Sequence, residues 1–176
     1  SPAESGPRQD GGNLQTNSKF KIQNSKFLRV EAYDISNISG QYAVGSMVVF
    51  KNNEPDKSQY RKFKIKTIQG ADDVGMMREV LIRRFNNDWP KPDLILLDGG
   101  VGHLNMGARV LKSFGLNIPI ISVAKGPDRK NTKLQITNIK FQKDISNIIN
   151  NKNLIKQIMD EAHRFAIGYH KKLRKK

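Results

Sequence analysis

Residues 92–100 read Pro-Asp-Leu-Ile-Leu-Leu-Asp-Gly-Gly and place a tight constraint on the architecture. The four consecutive apolar residues at 94–97 predict a short strand that is buried on both faces. A strand of that kind lies inside an α/β sheet whose faces are covered by helices. Asp98 ends the apolar run, at the carboxyl end of the strand, which is where the ligand sites of open α/β sheets gather.

The sequence before this strand predicts three more strands, joined closely enough to form an antiparallel meander. Alternating or β-rich patterns place them at residues 28–35, 41–50 and 60–68. The polar cluster at residues 51–56 predicts the turn between the second and third strands.

The rest of the chain adds helices and further strands. The predicted helices are residues 72–85, 104–114 and 153–173, with a second buried strand at 119–124 and one or two hairpin strands within 133–141. Three antiparallel strands followed by parallel strands, flanked by helices, form a mixed α/β sheet that matches the RNase H-like layout. A doubly wound fold with an antiparallel edge strand fits the same pattern.

The composition indicates an anionic partner. The chain has 31 Lys and Arg against 16 Asp and Glu, a formal net charge of +15. Such an excess commonly marks a surface that binds nucleic acid, because each neutralised phosphate releases condensed counterions. General solubilising charge is the alternative explanation.

Cysteine content and hydropathy exclude some kinds of metal and membrane site and bear on the cellular location. The chain has no cysteine, which excludes disulfides and thiolate zinc sites. It also lacks the run of about eighteen apolar residues that a membrane span needs, so no membrane partner is expected. We expect a cytoplasmic location, although a cysteine-free chain is compatible with secretion as well.

Two aspartates stand where a carboxylate is costly unless it is paired or bound to a cation. Asp34 shares the apolar face of the first predicted strand with Leu28, Val30 and Ala32, and Asp98 ends the buried strand. If these strands are neighbours, both carboxylates can hold one divalent cation, and oxygen ligands favour Mg²⁺ or Mn²⁺. Taken singly, Asp34 can also be a turn or bulge residue and Asp98 a turn former.

Two other candidates have simpler explanations. His163 lies in the last predicted helix beside an apolar face, where a lone histidine is more often a core residue than a metal ligand. Asp73 competes with Asp72 for the capping position of the first predicted helix.

Several motifs, in order along the chain, carry a resemblance to a known family. Residues 30–40 read Val-Glu-Ala-Tyr-Asp-Ile-Ser-Asn-Ile-Ser-Gly, and residues 160–167 read Asp-Glu-Ala-His-Arg-Phe-Ala-Ile. Together with segments 46–50, 55–63, 72–81, 92–100, 124–126 and 169–174, they resemble the C-terminal nuclease half of UvrC over residues 28–176. Residues 1–27, which lack apolar patterning, are expected to be a disordered linker.

The resemblance implies an RNase H-like endonuclease domain with a catalytic triad of Asp34, Asp98 and His163. The two aspartates hold the metal, and His163 is either a third metal ligand or a proton-transfer group. It implies a fourth functional acid at Asp73, the cofactor Mg²⁺ or Mn²⁺, and an incision on the 5′ side of a DNA lesion in nucleotide excision repair. The implied partners are double-stranded DNA with a lesion and a UvrB–DNA complex, reached through other parts of a larger protein. Charge and motif position make Lys57, Arg61, Lys125 and Arg164 the candidate phosphate contacts.

The sequence departs from the family pattern at three positions near the predicted site. Asn37 stands where the family commonly has histidine, and Val101 and His103 replace the lysine and glutamine that commonly follow the paired glycines. Because an expected lysine is replaced, a non-catalytic DNA-binding module that retains the RNase H-like fold is the alternative to an active nuclease. A different RNase H-like nuclease, acting on RNA hybrids or junctions, is a third possibility.

Overall fold

The computed structural model describes residues 27–37, 42–125, 132–137, 140 and 142–174. The strands are β1 (Arg29–Ser36), β2 (Val44–Lys51), β3 (Glu54–Pro55), β4 (Arg61–Lys64), β5 (Leu94–Asp98), β6 (Ile120–Lys125) and β7 (Thr132–Ile136). The helices are α1 (Asp73–Phe85), α2 (Val101–Ser113), α3 (Lys143–Ile149) and α4 (Lys152–Arg174), with a 3₁₀ turn at Lys57–Gln59.

The strands of the described residues form one mixed sheet in the order β3-β2-β1-β5-β6-β7, with β4 also paired to β2. β1, β2 and β4 are antiparallel, whereas β1, β5 and β6 run parallel. This arrangement confirms the predicted RNase H-like order of three antiparallel strands followed by parallel ones. β7 returns antiparallel to β6, as one strand within the predicted hairpin region.

Helices cover both faces of the sheet. Ser46 of β2 donates its hydroxyl to the carbonyl of Ala162 in α4 at 3.2 Å. The preceding residue, Gly45, faces the opposite side, where an added Cβ would overlap Val80 of α1. Because successive residues of a strand point to opposite faces, α1 and α4 lie on opposite sides of the sheet.

β1 corrects one expectation from the sequence. Its alternating pattern predicted a single buried face, but Arg29–Asp34 are all buried. Its second face carries Glu31 and Tyr33, and both side chains are 0% exposed. β1 is therefore a central strand despite its polar residues.

A buried ionic cluster allows the polar residues of this second face to be buried. The carboxylate of Glu31 accepts hydrogen bonds from Nε of Arg29 at 2.8 Å and from Nε and Nη2 of Arg84 at 2.8 and 2.7 Å. The hydroxyl of Tyr33 donates to the same carboxylate at 2.5 Å. Arg84 comes from α1, so the cluster ties the helix to the central strand.

Element boundaries differ from the predictions in a few places. α2 begins at Val101, three residues earlier than expected, because Gly100 is already its N-cap. α3 was not predicted, since it is short and runs into an Asn-rich segment. β3 lies inside the predicted turn, and β4 is shorter than residues 60–68.

The predicted linker at residues 1–27 lies, apart from Phe27, outside the described residues. Within the described residues, no helix combines the length and apolar character needed to cross a membrane.

We expect Glu31→Gln to lower the free energy of unfolding by about 3–5 kcal/mol, because the amide leaves two buried guanidinium groups without their anion. Urea unfolding at neutral pH measures this change. Glu54→Gln is the matched control, since Glu54 is exposed on β3 of the same sheet and its loss should cost less than about 0.5 kcal/mol. Equal unfolding midpoints for the two variants would contradict the stabilising role of the cluster.

Candidate active site

Asp34 and Asp98 come together because β1 and β5 are parallel neighbours. The register pairs Tyr33 with Leu97, so the two aspartates occupy the next position on each strand. Adjacent strands lie about 4.8 Å apart, which brings the two carboxyls side by side on one face of the sheet. Asp34 is only 4% exposed, and Asp98 is half-buried at the end of its strand.

His163 reaches the same place from α4. Its Nδ1 lies 3.2 Å from Oδ2 of Asp34, and its side chain is 59% exposed. The position of the helix is fixed one residue earlier by the hydrogen bond from Ser46 to the carbonyl of Ala162. Ser46 pairs directly with Asp34 across β1 and β2, so one cross-strand row positions both the aspartate and the histidine.

The surroundings of Asp34 disfavour its negative charge. Burial raises the pKa of Asp34 to about 6, and the hydrogen bond and negative charge of Asp98 act in the same direction. His163 opposes this shift in the pKa of Asp34, though not enough to cancel it. Asp34 is thus a buried carboxylate beside a second carboxylate, and the exposed imidazole of His163 compensates its charge only in part.

Asp73 lies at the same end of the sheet but outside this contact. It is the first residue of α1 and is exposed, whereas Asp72 is the N-cap and accepts from the backbone of Gly75 at 2.9 Å. The next residue, Val74, lies 3.7 Å from where a Cβ on Gly102 of α2 would be. α1 therefore begins beside the segment that follows Asp98.

Two of the predicted phosphate contacts gather beside His163. Arg164 donates two hydrogen bonds to Glu161, at 2.7 and 2.6 Å, and is exposed. The pKa of Glu161 is lowered by its hydrogen bond to Arg164 and, among weaker causes, by the charge of Lys57. Lys57 is exposed as well, so two exposed cations lie around Glu161, which is two residues before His163 on α4.

The other two predicted contacts lie on different sides of the sheet. Lys125 is the exposed last residue of β6, at the same edge as Asp98. Arg61 pairs with Met47 in the row that continues to Tyr33, on the face opposite Asp34. Its Nη1 donates to the carbonyls of Ser58 and Tyr60, and its guanidinium lies 5.1 Å from the Trp89 ring centroid. A phosphate contact at Arg61 would require it to leave these partners.

Comparison with known proteins assigns the family. A family model for the UvrC RNAse H endonuclease domain matches residues 10–167. The chain belongs to this family. The resemblance seen in the sequence motifs is thereby confirmed, together with the RNase H-like fold that it implied.

Relatives within the family are close in sequence. The UvrABC system protein C of Clostridium tetani is 46% identical over 167 residues, covering 84% of this chain and 26% of the relative. The protein of the same name from Clostridium novyi is 41% identical over 187 residues, covering 92% of this chain and 30% of the relative. The chain thus spans about a quarter of the length of the curated relatives that it matches.

Solved structures resemble the chain more distantly. Endonuclease V of Ciona intestinalis, in complex with a DNA containing an inosine, is 20% identical with a TM-score of 0.43, over 67% of this chain and 59% of that chain. Aquifex aeolicus Argonaute is 17% identical with a TM-score of 0.40, over 67% of this chain and 18% of that chain.

Three features of this UvrC-family site were not predicted from the sequence: the roles of Ser46 and Glu161, and the contact of His103 with Gly99. Ser46 could have been found as a serine within an otherwise apolar strand. Glu161 lies in the motif around His163 but gave no signal of its own. His103 of α2 lies against Gly99, where any Cβ would overlap its ring, and Gly99 has a φ of 149°. Nothing in the sequence indicates this contact, because it depends on how α2 begins.

The donor set suits a hard divalent cation. Burial raises the pKa of Asp34 and the neighbouring carboxyl of Asp98 adds to the shift, and a bound cation would relieve the repulsion between the two acids. Oxygen ligands of this kind favour Mg²⁺ or Mn²⁺. Among the described residues, no group of three or more His, Cys, Asp or Glu is arranged to hold a metal ion. The two aspartates are the carboxylates that lie together here, and Oδ2 of Asp34 also contacts the Nδ1 of His163.

The raised pKa of Asp34 predicts a pH-dependent stability. The folded protein holds a proton on Asp34 more tightly than the unfolded chain does, because the pKa rises from 3.8 to about 6. The resulting stabilisation is complete below about pH 4 and is lost as the pH rises through 6. In chelator-containing buffer above pH 7, Asp34→Asn should raise the free energy of unfolding by on the order of 2 kcal/mol.

Urea unfolding of both proteins between pH 4 and pH 8 tests this prediction, and the difference between the two curves isolates Asp34. The Asp34→Asn and Glu31→Gln changes are chemically similar and lie on one strand, yet their effects on stability should have opposite signs. An Asp34→Asn variant less stable than its parent at pH 8 would show that the carboxylate is compensated.

Proposed function

We propose that this chain is a divalent-metal-dependent endonuclease domain that hydrolyses DNA phosphodiester bonds at Asp34 and Asp98. The observation that carries the proposal is the buried carboxylate of Asp34, which lies beside a second acid and is compensated only in part by His163. On the same strand, Glu31 has two guanidinium partners, whereas Asp34 faces another acid. A buried arrangement that lowers stability is expected where it serves a site, and membership of an endonuclease-domain family supports a nuclease centre as that site.

Asp34 and Asp98 would hold Mg²⁺ or Mn²⁺. When bound, the cation supplies Lewis-acid activation of the phosphate and lowers the pKa of an attacking water. The protein contributes two carboxylates fixed by the strands of a buried sheet, which limits their movement. Asp34 is held further by the contact with His163.

His163 is proposed as a proton-transfer residue. Its Nδ1 faces Asp34, and this contact orients the ring as carboxylates do for catalytic histidines. The ring is exposed, so Nε2 is the nitrogen available to exchange a proton with the water or with the leaving oxygen. A neutral ring whose Nδ1 carries the proton would accept at Nε2.

Lys57, Lys125 and Arg164 are proposed to hold the DNA backbone around the carboxylates. All three are exposed, and they border the site from the 3₁₀ turn, from β6 and from α4.

As in the family, the substrate would be lesion-containing double-stranded DNA presented with UvrB, and the cut would fall on the 5′ side of the lesion. Asp73, exposed where α1 begins, is the proposed fourth acid.

We expect calorimetry to detect Mn²⁺ binding by the unaltered chain and no binding by Asp98→Asn, because the amide removes one of the two anionic ligands. Asp88→Asn is the matched control. Asp88 is exposed beyond the far end of α1, and the 13 residues of that helix place it about 20 Å from the helix start. In a nuclease assay on plasmid DNA with Mn²⁺, the unaltered chain and Asp88→Asn should cleave the DNA, and Asp98→Asn should not.

Failure of the unaltered chain to bind Mn²⁺, with a DNA duplex present, would contradict the nuclease proposal. It would favour a DNA-binding module that retains the fold. Cleavage of RNA–DNA hybrids or junctions in preference to lesion-containing duplex would instead favour a different RNase H-like nuclease. Incision mapping on lesion-containing DNA loaded with UvrB tests the 5′ position of the cut.

We expect His163→Gln to lower the cleavage rate by about 10²–10⁴-fold while leaving Mn²⁺ affinity within a few-fold, as for a general acid or base. The decisive measurement pairs calorimetry with single-turnover cleavage at several pH values. Loss of Mn²⁺ binding in this variant would make His163 a metal ligand rather than a proton-transfer residue.

A further inference from the structure

A cavity of about 870 Å³ opens at the sheet end that carries the aspartates. Its walls include Asn37 after β1, Tyr42 before β2, Lys64 at the end of β4 and Met76 of α1. The size falls within the range of small-molecule and nucleotide sites, about 300–1,000 Å³. Nothing in the proposed cleavage chemistry uses this cavity.

The residues that line the cavity are suited to binding one nucleotide. Tyr42 is 60% exposed, and Nζ of Lys64 lies 3.8 Å from its ring centroid. Lys66 adds a second cation, Asn37 and Gln69 add amide groups, and the described lining residues include no acid. An exposed aromatic ring can stack on any base, while the lysines can bind the adjoining phosphates.

The loop that forms one wall is held in place before any ligand binds. Glu79 of α1 accepts backbone hydrogen bonds from Lys66 at 3.0 Å and from Thr67 at 2.7 Å. Arg83, one turn further along α1, donates to the carbonyl of Lys64 at 2.6 Å. A prearranged wall reduces the ordering that binding would otherwise require.

Strand register places the cavity close to the proposed cleavage centre. Lys64 pairs with Val44, which pairs with Ser36, two residues after Asp34. Strand spacing and rise put the Cα atoms of Asp34 and Lys64 roughly 12 Å apart. At about 3.4 Å per nucleotide, a DNA strand covers that distance in roughly three to four nucleotides.

We propose that this cavity binds one unpaired base of the DNA strand, stacked on Tyr42, with Lys64 and Lys66 on the neighbouring phosphates. The base takes the place of the Lys64 ammonium over the ring, and that ammonium moves to the phosphate. The inference rests on the proposed function, because it takes DNA as the substrate. It adds that the substrate is locally unpaired a few nucleotides from the cut.

The test uses a DNA duplex carrying 2-aminopurine, a base whose fluorescence falls when it stacks, in a single-nucleotide bulge or fully paired. We expect the unaltered chain to quench the bulged probe and to bind it more tightly than the paired one. Tyr42→Ala should abolish the quenching and weaken binding of the bulged duplex roughly tenfold, whereas Tyr42→Phe should retain both. Phe27→Ala is the control, since Phe27 is also an exposed aromatic residue, 66% exposed, before the other end of β1.

Lys64→Ala should keep the quenching but reduce the salt dependence of binding by about one phosphate contact, and Lys112→Ala should leave it unchanged. Asp98→Asn separates this inference from the proposed function, because it should lose Mn²⁺ binding yet quench the bulged probe like the unaltered chain. Equal quenching of bulged and paired probes would overturn the inference. Quenching that survives Tyr42→Ala, or none by the unaltered chain, would overturn it as well.

Discussion

The structure depends on the burial of two carboxylates on one central strand. β1 lies between β2 and β5 and is covered by helices on both faces, so neither Glu31 nor Asp34 can be hydrated freely. An uncompensated buried charge costs several kcal/mol, which must be offset by partners or by protonation. Glu31 is offset by Arg29 and Arg84. The charge of Asp34 is compensated only in part, and the raised pKa of Asp34 reflects the part that is not compensated.

Because Glu31 and Asp34 are compensated differently, the two faces of β1 have different roles. The Glu31 face joins β1 to α1 and stabilises the fold. The Asp34 face joins β1 and β2 to α4, through Ser46 and the carbonyl of Ala162, and it carries His163. A shift of α4 along the sheet would therefore move His163 relative to Asp34 without disturbing the ionic cluster. Stability and site geometry are thus controlled by contacts on opposite sides of one strand.

The sequence predicts those features that depend on local pattern. The apolar run at residues 94–97 was enough to place β5 at the centre and Asp98 at its end. The Glu31–Arg84 contact could not be predicted, because it joins residues 53 positions apart through the packing of α1. Likewise, the face of Arg61 depends on which residue of β2 it pairs with, and a one-residue change of register would reverse it.

The distribution of positive charge follows from the same register. Val101, where the family commonly has lysine, is 55% exposed at the start of α2, beside Asp98. Lys62 and Lys64 pair with Ser46 and Val44, in the rows that reach Asp34 and Ser36, so both lie on the Asp34 face. Each ammonium lies over an aromatic ring, at 4.5 Å from that of Phe165 and 3.8 Å from that of Tyr42. A cation held in this way can shift to a phosphate with little change in its solvation. Positive charge on the Asp34 face is thus carried by β4, at Lys62 and Lys64, rather than by residue 101 at the start of α2.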